Sequence, residues 1–163
     1  MKKIAVITGC NRGAGEGIRN QLLEAGYYVY GINRTRTPNV EQIKSYEEYI
    51  CDVSDRKKIT EISSKITCNI DLLVLNAGIC NFGRISELPM EDFSYSIDVN
   101  LRGPYYVISL LLEQVKRAKG TIVFIGSHAG RYPFGMGAAY CSSKRGLEAL
   151  AECLMEEVRR EGV

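Results

Sequence analysis

"ITGCNRGAGEGI", residues 7 to 18, decides how the chain folds. The stretch before it, "KIAVITG", is apolar until it meets glycine and so reads as a buried strand. Residues 14 to 25 then place Ile18, Leu22 and Ala25 at i, i+4 and i+7, and Gly26 stops that helix. Gly9, Gly13 and Gly15 therefore fill a strand-to-helix turn. They permit a tight bend and let backbone N–H groups approach a phosphate, while the helix N-terminus adds a dipole that favours an anion. Glycines also mark plain turns; placement after a first strand and before a first helix is what gives these a nucleotide reading.

The same alternation continues outward. "YYVYGIN" is a second strand and "EEYICDV" a third. Ser54 is positioned to cap a helix whose Ile59, Ile62 and Ile66 share a face. "IDLLVLNAG" is a fourth strand, apolar throughout as a strand covered on both sides should be. A helical region runs from Met90 to Lys119, with Gly103-Pro104 predicting a kink or break inside it. "GTIVFIGS" is a fifth strand, and residues 137 to 161 form a last helix with Leu147, Leu150, Ala151, Leu154 and Val158 on one side. Between Thr35 and Glu48 the pattern fits either a short helix around Val40 to Lys44 or a loop. Parallel neighbours need crossover connections, so the order predicts an α/β, Rossmann-like, doubly wound parallel sheet with helices on both faces, in one domain over residues 1–163.

Composition narrows the function class. The 163 residues carry a formal net charge of +2 with no basic block, which excludes a nucleic-acid footprint. The longest apolar runs are too short to span a bilayer, and "MKKIAVITG" reads as a first strand rather than a leader. Six cysteines lack C-x-x-C spacing, and a single histidine completes no zinc set, so no metal is expected. Reduced, buried thiols in a cytoplasmic protein are the expectation.

The glycine spacing is T-G-x-x-x-G-x-G, and with it the chain resembles the short-chain dehydrogenase/reductase family over essentially all of its length. The resemblance is carried by "TGCNRGAG" (with Asn11 and Arg12 inside it), "CDV" with Asp52, "NAG" at 76 to 78, Asn100 in "DVNLRG", Ser127 after strand five, and Tyr140 with Lys144. It implies that Asp52 and Val53 border the adenine and that Asn76, Ala77 and Gly78 lie under the adenosine ribose. Plainer roles fit two of these: Asp52 as a turn carboxylate beside Ser54, and Asn76 as a residue tying two strands. An acid ending strand two would grip the ribose of NAD(H), but "GINRTRT" offers Asn33 and Arg34 instead, and Arg12 stands in the glycine loop. Arginine forks suit a phosphate, so NADP(H) is expected over NAD(H).

In "AAYCSSKRGLEAL", Lys144 lies one helical turn from Tyr140 on the same face, where its ammonium favours a phenolate. Strand C-termini are where ligands bind in such sheets, so Ser127 and Tyr140 are expected to reach one substrate oxygen. The expected reaction is hydride transfer between NADP(H) and a small carbonyl or alcohol. Ser127 and Tyr140 serve the oxygen, Lys144 tunes Tyr140 and (by the resemblance) holds the nicotinamide ribose, and Asn100 positions a water. His128 follows Ser127, but "IGSHAG" lacks the G-x-S-x-G elbow of a hydrolase.

Family members continue past the last helix with further strands and a substrate-covering segment. The sequence is therefore expected to be C-terminally incomplete, with strand five at a sheet edge. A rival expectation follows: a catalytically impaired nucleotide-binding or assembly module. The helices at 90–119 and 137–161 resemble those that pair subunits in the family, which predicts a homo-oligomer.

Overall fold

Ala5, Val6 and Ile7 are wholly buried, because their strand, β1 (Ile4–Thr8), is the middle one of five. This computed structural model describes residues 2–163. The other strands are β2 (Tyr28–Asn33), β3 (Tyr46–Ile50), β4 (Leu72–Leu75) and β5 (Thr121–Phe124), in the order β3-β2-β1-β4-β5. Every pairing is parallel, with Thr8 opposite both Ile32 and Leu75. The chain leaves β1 toward one edge and returns past it to β4, so the crevice for a ligand opens beyond the C-terminal ends of β1 and β4.

Side chains on alternate strand positions feed two separate cores. On one face Ala5, Ile7, Val29 and Val74 pack with Ile18, Leu22 and Leu23 of α1 (Gly13–Glu24). On the other, Val6, Ile32, Leu73 and Leu75 pack beneath α2 (Arg56–Ser63), α4 (Gly103–Ala118) and α5 (Ala138–Val158). β5 forms one edge of the sheet, and its Ile122, Val123 and Phe124 are only partly buried.

One local expectation is corrected, and two that were open are decided. Asp55, not Ser54, caps α2 by accepting from Lys58 N at 3.1 Å; Ser54 instead donates to Asp52. The segment from 35 to 48 holds only a single 3₁₀ turn, Val40–Gln42. The helix from 90 does not break at Gly103-Pro104. α3 (Met90–Ile97) passes through a π-helical turn, Asp98–Arg102, directly into α4. Pro104 has no N–H, so the Asn100 carbonyl lacks its i+4 donor, and the ladder widens one turn earlier.

Candidate active site

The glycine loop is crowded on its protein side and open on the other. A side chain at Gly15 would strike the Gly9 carbonyl and lie 2.5 Å from Asn76 Nδ2. Gly13 adopts φ 59° with nothing within 4 Å of where a Cβ would stand. Asn76 closes the crowded side. Its Nδ2 donates to Gly9 O at 2.7 Å and Thr8 O at 3.1 Å, while Thr8 Oγ1 accepts from the Asn76 and Ala77 amides. Asn76 thus ties β1 to β4 and also fixes the loop that opens α1. The cleft above has a volume of about 360 Å³ and is lined by Gly9 through Gly15 apart from Cys10, and by Arg34, Asp52, Val53, Asn76, Ala77 and Gly78. A glycine cradle at a helix N-terminus, open where a phosphate would sit, fits a dinucleotide.

Two arginines border the far end of this cleft, but Asn33 does not. Asn33 is fully buried. Its Oδ1 accepts from Cys10 N at 2.6 Å, and its Nδ2 donates to Tyr46 Oη at 2.9 Å and Glu48 Oε1 at 2.8 Å. It braces the glycine loop from behind, so its expected contact with the cofactor is corrected to a supporting one. The side chain turns inward because the tight bend at Gly9 leaves the Cys10 N–H buried and in need of an acceptor. Glu48 extends this bracing by accepting from the Thr37 amide at 2.9 Å and from the Thr37 hydroxyl. Asn11 ties the loop to Thr35, donating to its carbonyl at 3.1 Å and its hydroxyl at 2.8 Å. Arg12 and Arg34 remain exposed along the cleft.

Sequence reading missed Tyr95. It reaches from α3 to donate to Asp52 Oδ2 at 2.6 Å, and its oxygen accepts from Arg34 at 3.0 Å. Asp52 also accepts from Ser54 N and Oγ, so it is the turn carboxylate as well as a cleft wall. Partial burial pushes the Asp52 carboxyl up, but the Tyr95 and Ser54 hydrogen bonds and the Arg34 charge hold it below the ordinary carboxylate value. The only signal for Tyr95 was its place five residues before Asn100 on the same helix.

Lys144 and Tyr140, one turn apart on α5, meet the loop that leaves β4. A Cβ on Gly78 would lie 3.6 Å from Lys144 Nζ and 3.3 Å from Asn100 Oδ1. The Tyr140 ring stands edge-on to Phe82, centroids 5.9 Å apart. Lys144 is 5% exposed and donates to Ile125 O at 2.8 Å, which fixes it against the end of β5. Burial pushes its ammonium below the ordinary lysine value. Ser127, just past β5, shares a second hollow with Lys144, and its Oγ accepts from Ala129 N at 3.2 Å. Asn100 is fully buried and pins three elements. Its Oδ1 accepts from Ile79 N and its Nδ2 donates to Ile79 O, both at 2.8 Å, with a further bond to Ser143 Oγ at 2.9 Å. Both Nδ2 hydrogens are thereby used within the protein.

This architecture has close counterparts. The family model for short chain dehydrogenases matches residues 3–163. The chain belongs to the short-chain dehydrogenase family. The family is one of NAD(P)-dependent oxidoreductases. Retinol dehydrogenase 7 of Mus musculus is 34% identical over 171 residues, covering 99% of this chain and 54% of that protein. A metagenomic short-chain oxidoreductase solved in complex with NADP superposes with a TM-score of 0.88 at 31% identity, covering 99% of this chain and 77% of that one. An NAD⁺-bound xylitol dehydrogenase shares the fold with a TM-score of 0.89 at 24% identity, covering 98% of this chain and 66% of that one. The family fold is thus found with either nucleotide. The chain spans about half the length of several curated relatives it matches. Among the described residues no helix is long and apolar enough to cross a membrane.

Proposed function

We propose that this short-chain dehydrogenase binds NADP(H) in preference to NAD(H) and moves a hydride between it and a carbonyl or alcohol. The observation that carries the reading is the convergence of Lys144, Tyr140 and Asn100 on the 78–82 loop at the mouth of the glycine cleft. Gly9, Asn11, Arg12, Gly13 and Gly15 would hold the pyrophosphate, Arg12 and Arg34 a 2′-phosphate, Asp52 and Val53 the adenine edge, and Asn76, Ala77 and Gly78 the ribose. When bound, the nicotinamide supplies or accepts the hydride. In the reductive direction Ser127 donates a hydrogen bond to the carbonyl oxygen, and Tyr140 gives its phenolic proton to that oxygen as it becomes an alkoxide. Lys144, held beside the same loop by its bond to Ile125 O, would donate to the nicotinamide ribose. The Asn100 carbonyl, without its i+4 donor, is an acceptor for the water that returns a proton through Lys144. A positioned general acid contributes about 10²–10⁴-fold, or roughly 3–5 kcal/mol of barrier.

NADPH fluorescence titration run beside a carbonyl-dependent oxidation assay tests this. Micromolar binding with turnover of at least one carbonyl is expected. Binding without turnover of any would favour a nucleotide-binding or assembly module. The outer sides of α4 and α5 carry the exposed Tyr105 and Met155, which supports pairing of two copies through these helices. Light scattering at twice the monomer mass is the expected result. The six free thiols fit a reducing compartment, the cytoplasm.

A further inference from the structure

Several exposed apolar side chains gather beside the Tyr140 ring. Phe82 lies 5.8 Å from Phe134 and 5.9 Å from Tyr140, centroid to centroid. Phe82, Phe134 and Met136 are each about half exposed, at 53%, 50% and 54%. Large apolar groups left half in water next to a reactive group mark a binding surface.

The backbone is built to hold them there. Asn81 Nδ2 donates to Asp92 O at 3.1 Å, and Gly83 N donates to Met136 O at 2.9 Å, so both sides of Phe82 are anchored. Met136 is left-handed, φ 67°, a conformation a bulky side chain takes only when its surroundings impose it. Gly137 N donates to Phe134 O at 3.2 Å, and a Cβ on Gly137 would collide with the Phe134 ring and Cys141 Sγ, each at 2.8 Å. Phe134 is thereby laid across Gly137 and turned toward Phe82. The cation in the same segment faces elsewhere: Arg131 is bound to Glu148 at 2.6 Å.

We propose that Phe82 and Phe134 are the substrate wall, and that the substrate is an apolar, ring-sized carbonyl or alcohol lying against them with its oxygen toward Tyr140. This rests on the oxidoreductase reading above. A polyhydroxylated or ionic substrate would leave hydroxyls or charge against aromatic faces without partners, whereas an apolar one buries both surfaces.

The full chain with NADPH is assayed for kcat/KM on benzaldehyde and cyclohexanone against glyceraldehyde and pyruvate; pyruvate tests Arg84, on the Phe82 loop, as an anion partner. The apolar compounds are expected to lead by at least about tenfold, and that ratio to fall roughly tenfold in Phe82→Ala and in Phe134→Ala. Both side chains are half exposed, so a thermal melt is expected to show each variant folded. Saturation-transfer NMR of benzyl alcohol gives a readout that needs no turnover. Its signal should weaken in both alanine variants and persist in Tyr140→Phe. Glyceraldehyde or pyruvate turned over as well as benzaldehyde, or a ratio that neither variant moves, overturns the wall and leaves the oxidoreductase reading standing. A benzyl alcohol signal that depends on Phe82 and Phe134, with no carbonyl turned over, supports the wall and sinks the oxidoreductase reading instead.

Discussion

Replacing Asn33 with alanine separates support of the glycine loop from contact with the nucleotide. The change deletes three hydrogen bonds shorter than 3 Å: from Cys10 N at 2.6 Å, to Glu48 at 2.8 Å and to Tyr46 at 2.9 Å. All three sit behind the loop at a fully buried position. At about 1 kcal/mol for each bond the loss is about 3 kcal/mol, and the stranded Cys10 N–H keeps it from being smaller. For a domain of this size each kcal/mol moves Tm by roughly 2–4 °C, so Tm should fall by roughly 6–12 °C. Circular dichroism melts give Tm, and fluorescence titrations give Kd for NADPH and NADH on the same samples. The loosened loop should weaken both nucleotides by similar factors, because in the proposed binding mode it holds the pyrophosphate they share. A Tm within about 2 °C of wild type, together with weakened NADPH and unaltered NADH, would overturn this expectation. Asn33 would then touch the 2′-phosphate.

Arg34→Ala should do the opposite. NADPH affinity is expected to fall roughly ten- to a hundredfold with NADH little changed, since a charge-assisted hydrogen bond is lost from one nucleotide only, and parallel titrations check it. Gly15→Ala drives a methyl into the Gly9 carbonyl and the Asn76 amide, so it should lower Tm and abolish measurable binding of both nucleotides, read by melts and titration. Asp52 has a folded pKa below its unfolded value, so it adds stability at pH values above the unfolded pKa, and this is lost as pH falls through the folded one. Urea midpoints measured from pH 7 down to pH 3 should therefore fall less steeply in Asp52→Asn than in wild type.

β1, β2, β4 and β5 were legible because each is a short, largely apolar run closed by a turn residue. The glycine loop was legible for a related reason: only glycine tolerates the approach of the Gly9 carbonyl to position 15. Asn33 was misread because a polar residue at a strand end looks the same in sequence whether it faces a ligand or a buried amide. The choice was made by Glu48 and Tyr46, residues of β3 whose parallel register against β2 no local pattern encodes. Tyr95 escaped notice because its partners lie 43 and 61 residues away. The π turn was half visible. Pro104 announced a disturbance, but whether a helix breaks or widens depends on the tertiary bonds that Asn100 makes to Ile79 and Ser143.

The proposed reaction turns on the Tyr140 hydroxyl as the proton donor beside a bound nucleotide. The most direct measurement is single-turnover oxidation of NADPH by the Tyr140→Phe variant with saturating carbonyl, alongside its NADPH Kd. The rate should drop by about 10²–10⁴-fold while Kd stays within about twofold of wild type. A variant that turns over at the wild-type rate would contradict it.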